Sequence, residues 1–387
     1  MRVLFAAPGA YGHIHPMVPL AWALRRHGHD VRWVTSQGLC ERVRAMGFSA
    51  VPAGMEADQR QAEYRRRFPG EAELPVLERR ALMFPKLFGA IAAPAMLPGL
   101  LRAAEAFVPD VVIHDAAEFA SAVVAGRLGV PHLTHSFGAL VPRDFVYSAG
   151  EEVAPLWESA GLSPRSFGGS YDHLYVDIYP RVLQPASVDY VPRVQPLRPV
   201  AVDAAPGEEL PAHLRDLPRP LVYVTFGTVF NAAAVFAPVV EAARQLDATV
   251  VVTVGPDGDP AALGVVPPNV IVERYVAQSL LFDRCDVVVS HAGSGTFLSA
   301  LARAIPQLCL PQAADQFVNA SACERIGAGI TLEPATVTPQ HITDAIERLR
   351  TDERFRTGAR AGAEAIHAMP PPDEVANFIE YLVEDNS

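Results

Sequence analysis

Short β-branched runs such as Val111-Val112-Ile113 and Val287-Val288-Val289 recur along the chain, and each is followed by a helical pattern. A strand that is apolar on consecutive residues has to be covered on both faces. Strands of this kind alternating with helices restrict the fold to α/β, with a parallel sheet between two layers of helix. The pattern predicts strands over 2–7, 31–35, 111–114 and 132–135, with helices over 16–27, 39–46 and 117–128. Residues 54–75 are polar, show no apolar period and read as an irregular insertion. Two apolar segments follow, near 76–90 and 94–107.

Residues 185–220 are dense in proline and mark the expected domain boundary. The alternation then restarts, with strands over 221–225, 249–254, 270–273, 287–290 and 307–310. Helices are expected over 235–246, 296–304, 314–326, 339–349, 352–369 and 373–383, with a short one around 280–282. With 387 residues, half of them hydrophobic, the chain can build two cores. The expected organisation is two Rossmann-like doubly wound domains facing each other across a cleft. An N-terminal domain covers 1–200, a linker 201–218, a C-terminal domain 219–370 and a terminal helix 371–387. Ligands of such sheets bind at the carboxyl ends of the strands.

The net charge of −11 opposes a phosphate backbone, so nucleic acid is not an expected partner. Cys40, Cys285, Cys309 and Cys323 show neither metal-ligand nor C-x-x-C spacing and read as buried free thiols, which suits a reducing cytoplasm. The N-terminal apolar run is too short for a signal peptide, and no run of about 18 apolar residues points to a membrane span. The sequence leaves a homodimer open.

The segment His291-Ala-Gly-Ser-Gly-Thr296 joins a strand to a helix. Unpaired N–H groups at a helix start attract anions, and Gly293 and Gly295 let a ligand approach the backbone. Ser294 and Thr296 add hydroxyls, and His291 adds a donor. The alternative reading is a plain glycine-rich joint.

Other segments accompany it in order. Tyr-Val-Ala-Gln (275–278) precedes it, and Ala-Ile-Pro (304–306) and Asp-Gln-Phe-Val-Asn (315–319) follow. Near the N-terminus stands Gly12-His-Ile-His-Pro16. Together these resemble the GT-B nucleotide-sugar-dependent glycosyltransferases, in the bacterial natural-product branch of the UDP-glycosyltransferase superfamily. The resemblance implies that His13 is the general base for an acceptor hydroxyl, a role that suits an imidazole. It implies Asp115 as the partner of His13, with Glu118 as the fallback; Asp115 also reads as a helix cap. Asp315 and Gln316 would hold the donor sugar, although Asp315 also reads as a cap. Gly227 and Thr228 would lie near the phosphates, beside His291 and its loop. Tyr275 and Val276 would flank the nucleobase, with Gln278 close by, although Tyr275 replaces the usual Trp and Ala277 the usual Pro.

In the family a Glu often stands three residues after the loop Thr and binds ribose hydroxyls. Here the position is Ser299, which favours a deoxyribose donor, a TDP-sugar. The resemblance also implies that 371–387 packs back on the N-terminal domain. It further implies a metal-independent reaction, with no cofactor besides the nucleotide-sugar cosubstrate and a small-molecule aglycone as acceptor. Competing readings are a UDP-sugar-dependent transferase, a nucleotide-sugar epimerase and a catalytically silent partner of another transferase. A nicotinamide dehydrogenase is disfavoured, because no G-x-G-x-x-G follows the first strand.

Overall fold

The computed structural model describes residues 1–74, 81–185, 188–204, 207–227, 233–256, 258–313 and 315–385. They form two compact units. The first comprises Met1–Ile178, Ala186–Arg198 and the chain from Pro370 onward. Its strands are β1 (Arg2–Ala6), β2 (Asp30–Thr35), β3 (Ser49–Pro52), β4 (Val111–Asp115), β5 (His132–His135), β6 (Leu174–Asp177) and β7 (Val194–Pro196). All pair in parallel in the order β3-β2-β1-β4-β5-β6-β7. β4 is buried along its full length, as the apolar run requires.

The first unit's helices are α1 (Val18–Arg26), α2 (Gln37–Ala45), α3 (Ala57–Arg67), α4 (Ala81–Phe107), α5 (Ala120–Leu128) and α6 (Arg143–Ser159). Two expectations fail here. Within 54–75, α3 is a regular helix, started by a reciprocal cap between Glu56 and Gln59. Its inward residues are Arg60 and Tyr64, one turn apart, so no apolar period announces it. The two apolar segments read near 76–90 and 94–107 are one helix, α4, apart from 75–80, which lie outside the described residues. By length and composition alone α4 passes as a helix that could cross a membrane. Its Ala93, Met96, Leu100, Ala104 and Phe107 instead join the core of the first unit.

The second unit comprises Tyr179–Pro185 and Pro199–Met369. Its strands are β8 (Leu221–Thr225), β9 (Thr249–Thr253), β10 (Val270–Glu273), β11 (Val287–Ser290), β12 (Gln307–Cys309) and β13 (Gly329–Thr331). Their parallel order, β10-β9-β8-β11-β12-β13, repeats the first six strands of the other sheet. The helices are α7 (Ala233–Ala242), α8 (Gln278–Leu281), α9 (Ser294–Leu301), α10 (Gln316–Arg325), α11 (Pro339–Thr351) and α12 (Glu353–His367). A final helix, α13 (Pro372–Asp385), belongs to the first unit. There it meets α1: Arg26 binds both carboxylate oxygens of Asp373, and His27 and His29 both reach Glu380.

In each sheet the chain reverses its direction of winding beside the first strand, between β1 and β4 and between β8 and β11. The carboxyl ends flanking that point are where a doubly wound sheet offers a ligand site.

Candidate active site

His13 follows β1 on a short helical turn, Tyr11–Ile14, and Asp115 closes β4. These strands are neighbours, with Ala6 opposite His114, so the reversal point brings the two residues together. His13 Nδ1 lies 2.9 Å from Asp115 Oδ1, with the imidazole 15% exposed and the carboxylate fully buried. A carboxylate accepts only, so Nδ1 carries the proton and the free lone pair of the neutral ring sits on Nε2. Asp115 Oδ1 also accepts from Ala117 N at 2.8 Å, which makes it both partner and turn cap. Its Oδ2 is buried and has no hydrogen-bond partner among the described residues.

Glu118, the fallback partner, is committed elsewhere. Its carboxylate accepts from Ala120 N, Ser121 N and the Ser121 hydroxyl, capping α5. This is why α5 begins at Ala120 and not at 117. Burial pushes the Glu118 carboxyl up to about 7. Around His13 stand the edges of Phe88 and Phe137, at ring-centroid distances of 5.6 and 4.8 Å. Phe84 backs Phe88 at 5.1 Å.

In the second unit Gly227 follows β8 and His291 follows β11, with Thr225 opposite Ser290. The imidazole of His291 lies against both Gly227 and Gly293. A Cβ on Gly227 would lie 2.8 Å from the ring, and one on Gly293 2.5 Å from its Nε2. Gly227 also takes φ +72°, a conformation that favours glycine. Burial holds His291 down to about 4, with Asp315 and the Thr225 backbone opposing. It is therefore a neutral hydrogen-bonding group at pH 7.

Helix α9 starts at Ser294 with no side-chain cap, so the first N–H groups, on Ser294, Gly295 and Thr296, have no intrahelical acceptor. The two hydroxyls expected to face a phosphate are used otherwise. Ser294 Oγ donates to Asp315 Oδ2 at 2.6 Å, and Thr296 Oγ1 donates to Gln278 Oε1 at 3.1 Å. What this loop offers an anion is its backbone.

Asn319, fully buried, ties the loop together. Its Nδ2 donates to Ala292 O at 2.9 Å and to Ser294 Oγ at 3.0 Å, while its Oδ1 accepts from Tyr179. The carbonyl bond steadies Ala292, a non-glycine residue at φ +61°. Gln316 Oε1 accepts from the N–H groups of Gln312 and Ala313, which fixes the loop before α10. The Asp315 side chain makes no cap bond to α10.

Tyr275 is half exposed, with its hydroxyl donating to Asp203 O at 2.9 Å. Val276 differs from expectation. Its side chain is buried in the core cluster that also holds Leu281 and Phe282. Thr228 lies outside the described residues. Among the described residues no group of three or more His, Cys, Asp or Glu is placed to hold a metal ion.

Two family models cover most of the chain. The N-terminal domain of the erythromycin biosynthesis protein CIII-like family matches residues 22–155, and its C-terminal domain matches 237–382. The elloramycin glycosyltransferase ElmGT of Streptomyces olivaceus is 32% identical over 97% of this chain and 96% of its own. The 3-alpha-mycarosylerythronolide B desosaminyl transferase of Saccharopolyspora erythraea is 26% identical over 99% of this chain and 98% of its own. The chain belongs to this glycosyltransferase family. Its fold is GT-B. The solved glycosyltransferase VinC, in complex with dTDP, matches with a TM-score of 0.82 at 25% identity over the whole of both chains. The rhamnosyltransferase SpnG, complexed with thymidine diphosphate, matches with 0.80 at 28% identity over 98% of this chain and all of its own.

Sequence reasoning missed three features of this glycosyltransferase. Phe88 and Phe137 beside His13 carry no motif. Arg60 was hidden in the polar stretch read as irregular. Asn319 stood in the Asp-Gln-Phe-Val-Asn motif without a role, because its partners Tyr179 and Ala292 are 140 and 27 residues away.

Proposed function

We propose that this glycosyltransferase moves a deoxysugar from a TDP-sugar to a hydroxyl of a natural-product aglycone, with inversion at the anomeric carbon. The observation that carries the reading is the 2.9 Å contact of His13 Nδ1 with the fully buried Asp115 carboxylate, which leaves the lone pair on Nε2. In this reading residues 1–200 hold the acceptor and 219–370 the donor. Nε2 takes the acceptor proton as the acceptor oxygen bonds to C1. The bond from C1 to the diphosphate oxygen breaks with its electron pair leaving on TDP. Asp115 stabilises the imidazolium that forms.

On the donor side, Asp315 and Gln316 take sugar hydroxyls. Tyr275 stacks on the base, with the Val276 backbone and Gln278 beside it. Gly227, Thr228, His291 and the N–H groups at Ser294, Gly295 and Thr296 receive the diphosphate, whose charge grows as the bond breaks. Ser299 in place of a carboxylate supports a donor without a ribose 2′-hydroxyl. The complexes of VinC and SpnG with thymidine diphosphate point the same way.

Calorimetric titration with TDP and with UDP, without metal, tests the donor assignment. Binding of TDP at least about tenfold tighter than UDP is expected. Preference for UDP overturns the donor and keeps the fold; binding of neither favours the silent-partner reading.

A further inference from the structure

Arg60, on the inward side of α3, is only 5% exposed. Among the described residues its guanidinium makes no hydrogen bond or ion pair, and its Nε is fully enclosed without a partner. The Cζ atom lies 5.3 Å from the centre of the Phe88 ring, the ring that stands 5.6 Å from the His13 imidazole. Arg60 lines a cavity of about 20 Å³. The same cavity is lined by Pro8 and Gly9, on the loop that leads to His13, and by Ala117 and Glu118, on the turn after Asp115. Both strand ends that carry the His–Asp pair thus border the space that Arg60 lines.

A buried guanidinium without acceptors is costly, because its N–H donors have given up water, the one on Nε completely. Burial works against its charge and lowers the guanidinium's pKa, with the Asp115 and Glu56 carboxylates opposing. Glu118 is occupied by the start of α5. What is missing is a hydrogen-bond acceptor. The cavity has room for one water-sized group, about one oxygen atom with its bond. Beside it, Phe88, Phe84 and Phe137 form an aromatic wall next to His13.

We propose that Arg60 is an acceptor-binding residue that receives a carbonyl oxygen of a flat, conjugated aglycone, holding the neighbouring hydroxyl toward His13. The proposal rests on the reading of His13 as the residue that meets the acceptor.

The test is a pair of probes with one ring footprint and one hydroxyl: 1-hydroxyanthraquinone, and 1-hydroxyanthracene, which lacks the carbonyls. Their binding is read by quenching of intrinsic protein fluorescence, without donor and without turnover. The wild-type protein is expected to bind the quinone about tenfold tighter, the worth of one hydrogen bond to a charged group. Arg60→Met is expected to bind the two probes within about threefold of each other while keeping wild-type affinity for TDP. Arg60→Lys falls between. A wild-type protein that binds neither probe or does not discriminate overturns the proposal, as does an Arg60→Met protein that keeps the preference. Should Arg60→Met not fold, an undiminished preference in Arg60→Lys overturns it equally. Because no sugar is transferred, failure of the TDP-sugar reading leaves the probe ratio standing. Loss of the ratio with transfer intact removes only the role of Arg60.

Discussion

Asp115→Asn separates the charge of this carboxylate from its geometry. In the folded chain one oxygen, Oδ1, accepts from both His13 Nδ1 and Ala117 N, at 2.9 and 2.8 Å. An asparagine can keep an oxygen at that position, so the turn and the imidazole tautomer both persist. Its amide nitrogen then takes the place of Oδ2, which has no partner among the described residues to clash with it. The variant therefore loses the negative charge beside the imidazolium and leaves its buried amide N–H groups without an acceptor, at a cost of about 1–3 kcal/mol in stability. Two unit charges about 4 Å apart attract by about 4 kcal/mol at an effective dielectric of about 20. The amide dipole recovers part of that, and each 1.36 kcal/mol is about tenfold in rate. The expected loss in kcat is about 10² to 10³-fold, with the TDP dissociation constant nearly unchanged and the thermal midpoint lowered by the unpaired amide. The assay is single-turnover transfer from a TDP-deoxysugar to any acceptor the wild-type protein glycosylates, with TDP calorimetry as the control. Transfer within threefold of wild type refutes the reasoning. Asp115→Ala, which also removes the cap on Ala117, should lose more activity and some stability.

Gly293→Ala places a methyl group 2.5 Å from His291 Nε2 and must displace the ring. TDP affinity should fall at least about tenfold in calorimetry, with the thermal midpoint little changed. Stability should fall on acidification. Burial lowers His114 and His135 to about 4, as it does His291, and His132 goes well below its usual value. These rings stay neutral in the folded protein but take protons in the unfolded chain below about 6.5, so their contribution is lost as pH falls from about 6.5 toward 4. Glu118, raised to about 7, acts in the opposite sense: its effect favours folding at acid pH and fades as pH rises to 7. His173 is lowered as well and the Asp172 carboxyl raised, so five histidines stand against two carboxyls and the urea midpoint should be lower at pH 5 than at pH 7.5; an equal or higher midpoint contradicts this sign.

Much of this architecture was readable because strand burial writes itself into composition. Val287–Ser290 and Val111–Asp115 are buried residue by residue, and an unbroken β-branched run has few other uses. The helix α3 was illegible for the converse reason: its buried side is Arg60 and Tyr64, with Tyr64 satisfied by Glu71. A polar network replaces the apolar stripe that periodicity looks for. The helix α6 was hidden by Gly150 and Pro155. Gly150 is there because the Gly168 backbone passes 2.5 Å from where its Cβ would be.

At the site, motif spacing singled out His13, Asp115 and His291, each of which closes or follows a strand at a reversal point of its sheet, and Asp315, which follows β12 one strand further on. Spacing could not show what each hydroxyl does. Ser294 and Thr296 look like phosphate donors in sequence, and only folding reveals that Asp315 and Gln278, 21 and 18 residues away, already accept their protons. The buried side chain of Val276 is a similar case: the motif fixes a position along the chain, while packing decides which way it faces.

The most direct test of the account is single-turnover sugar transfer by His13→Gln at saturating TDP-deoxysugar, beside the TDP affinity of the same protein. Without a base for the acceptor proton, transfer should fall by about 10² to 10⁴-fold while TDP binds as it does to the wild type. A His13→Gln protein that transfers sugar at the wild-type rate would contradict the assignment of His13, and with it the mechanism built on the His13–Asp115 pair.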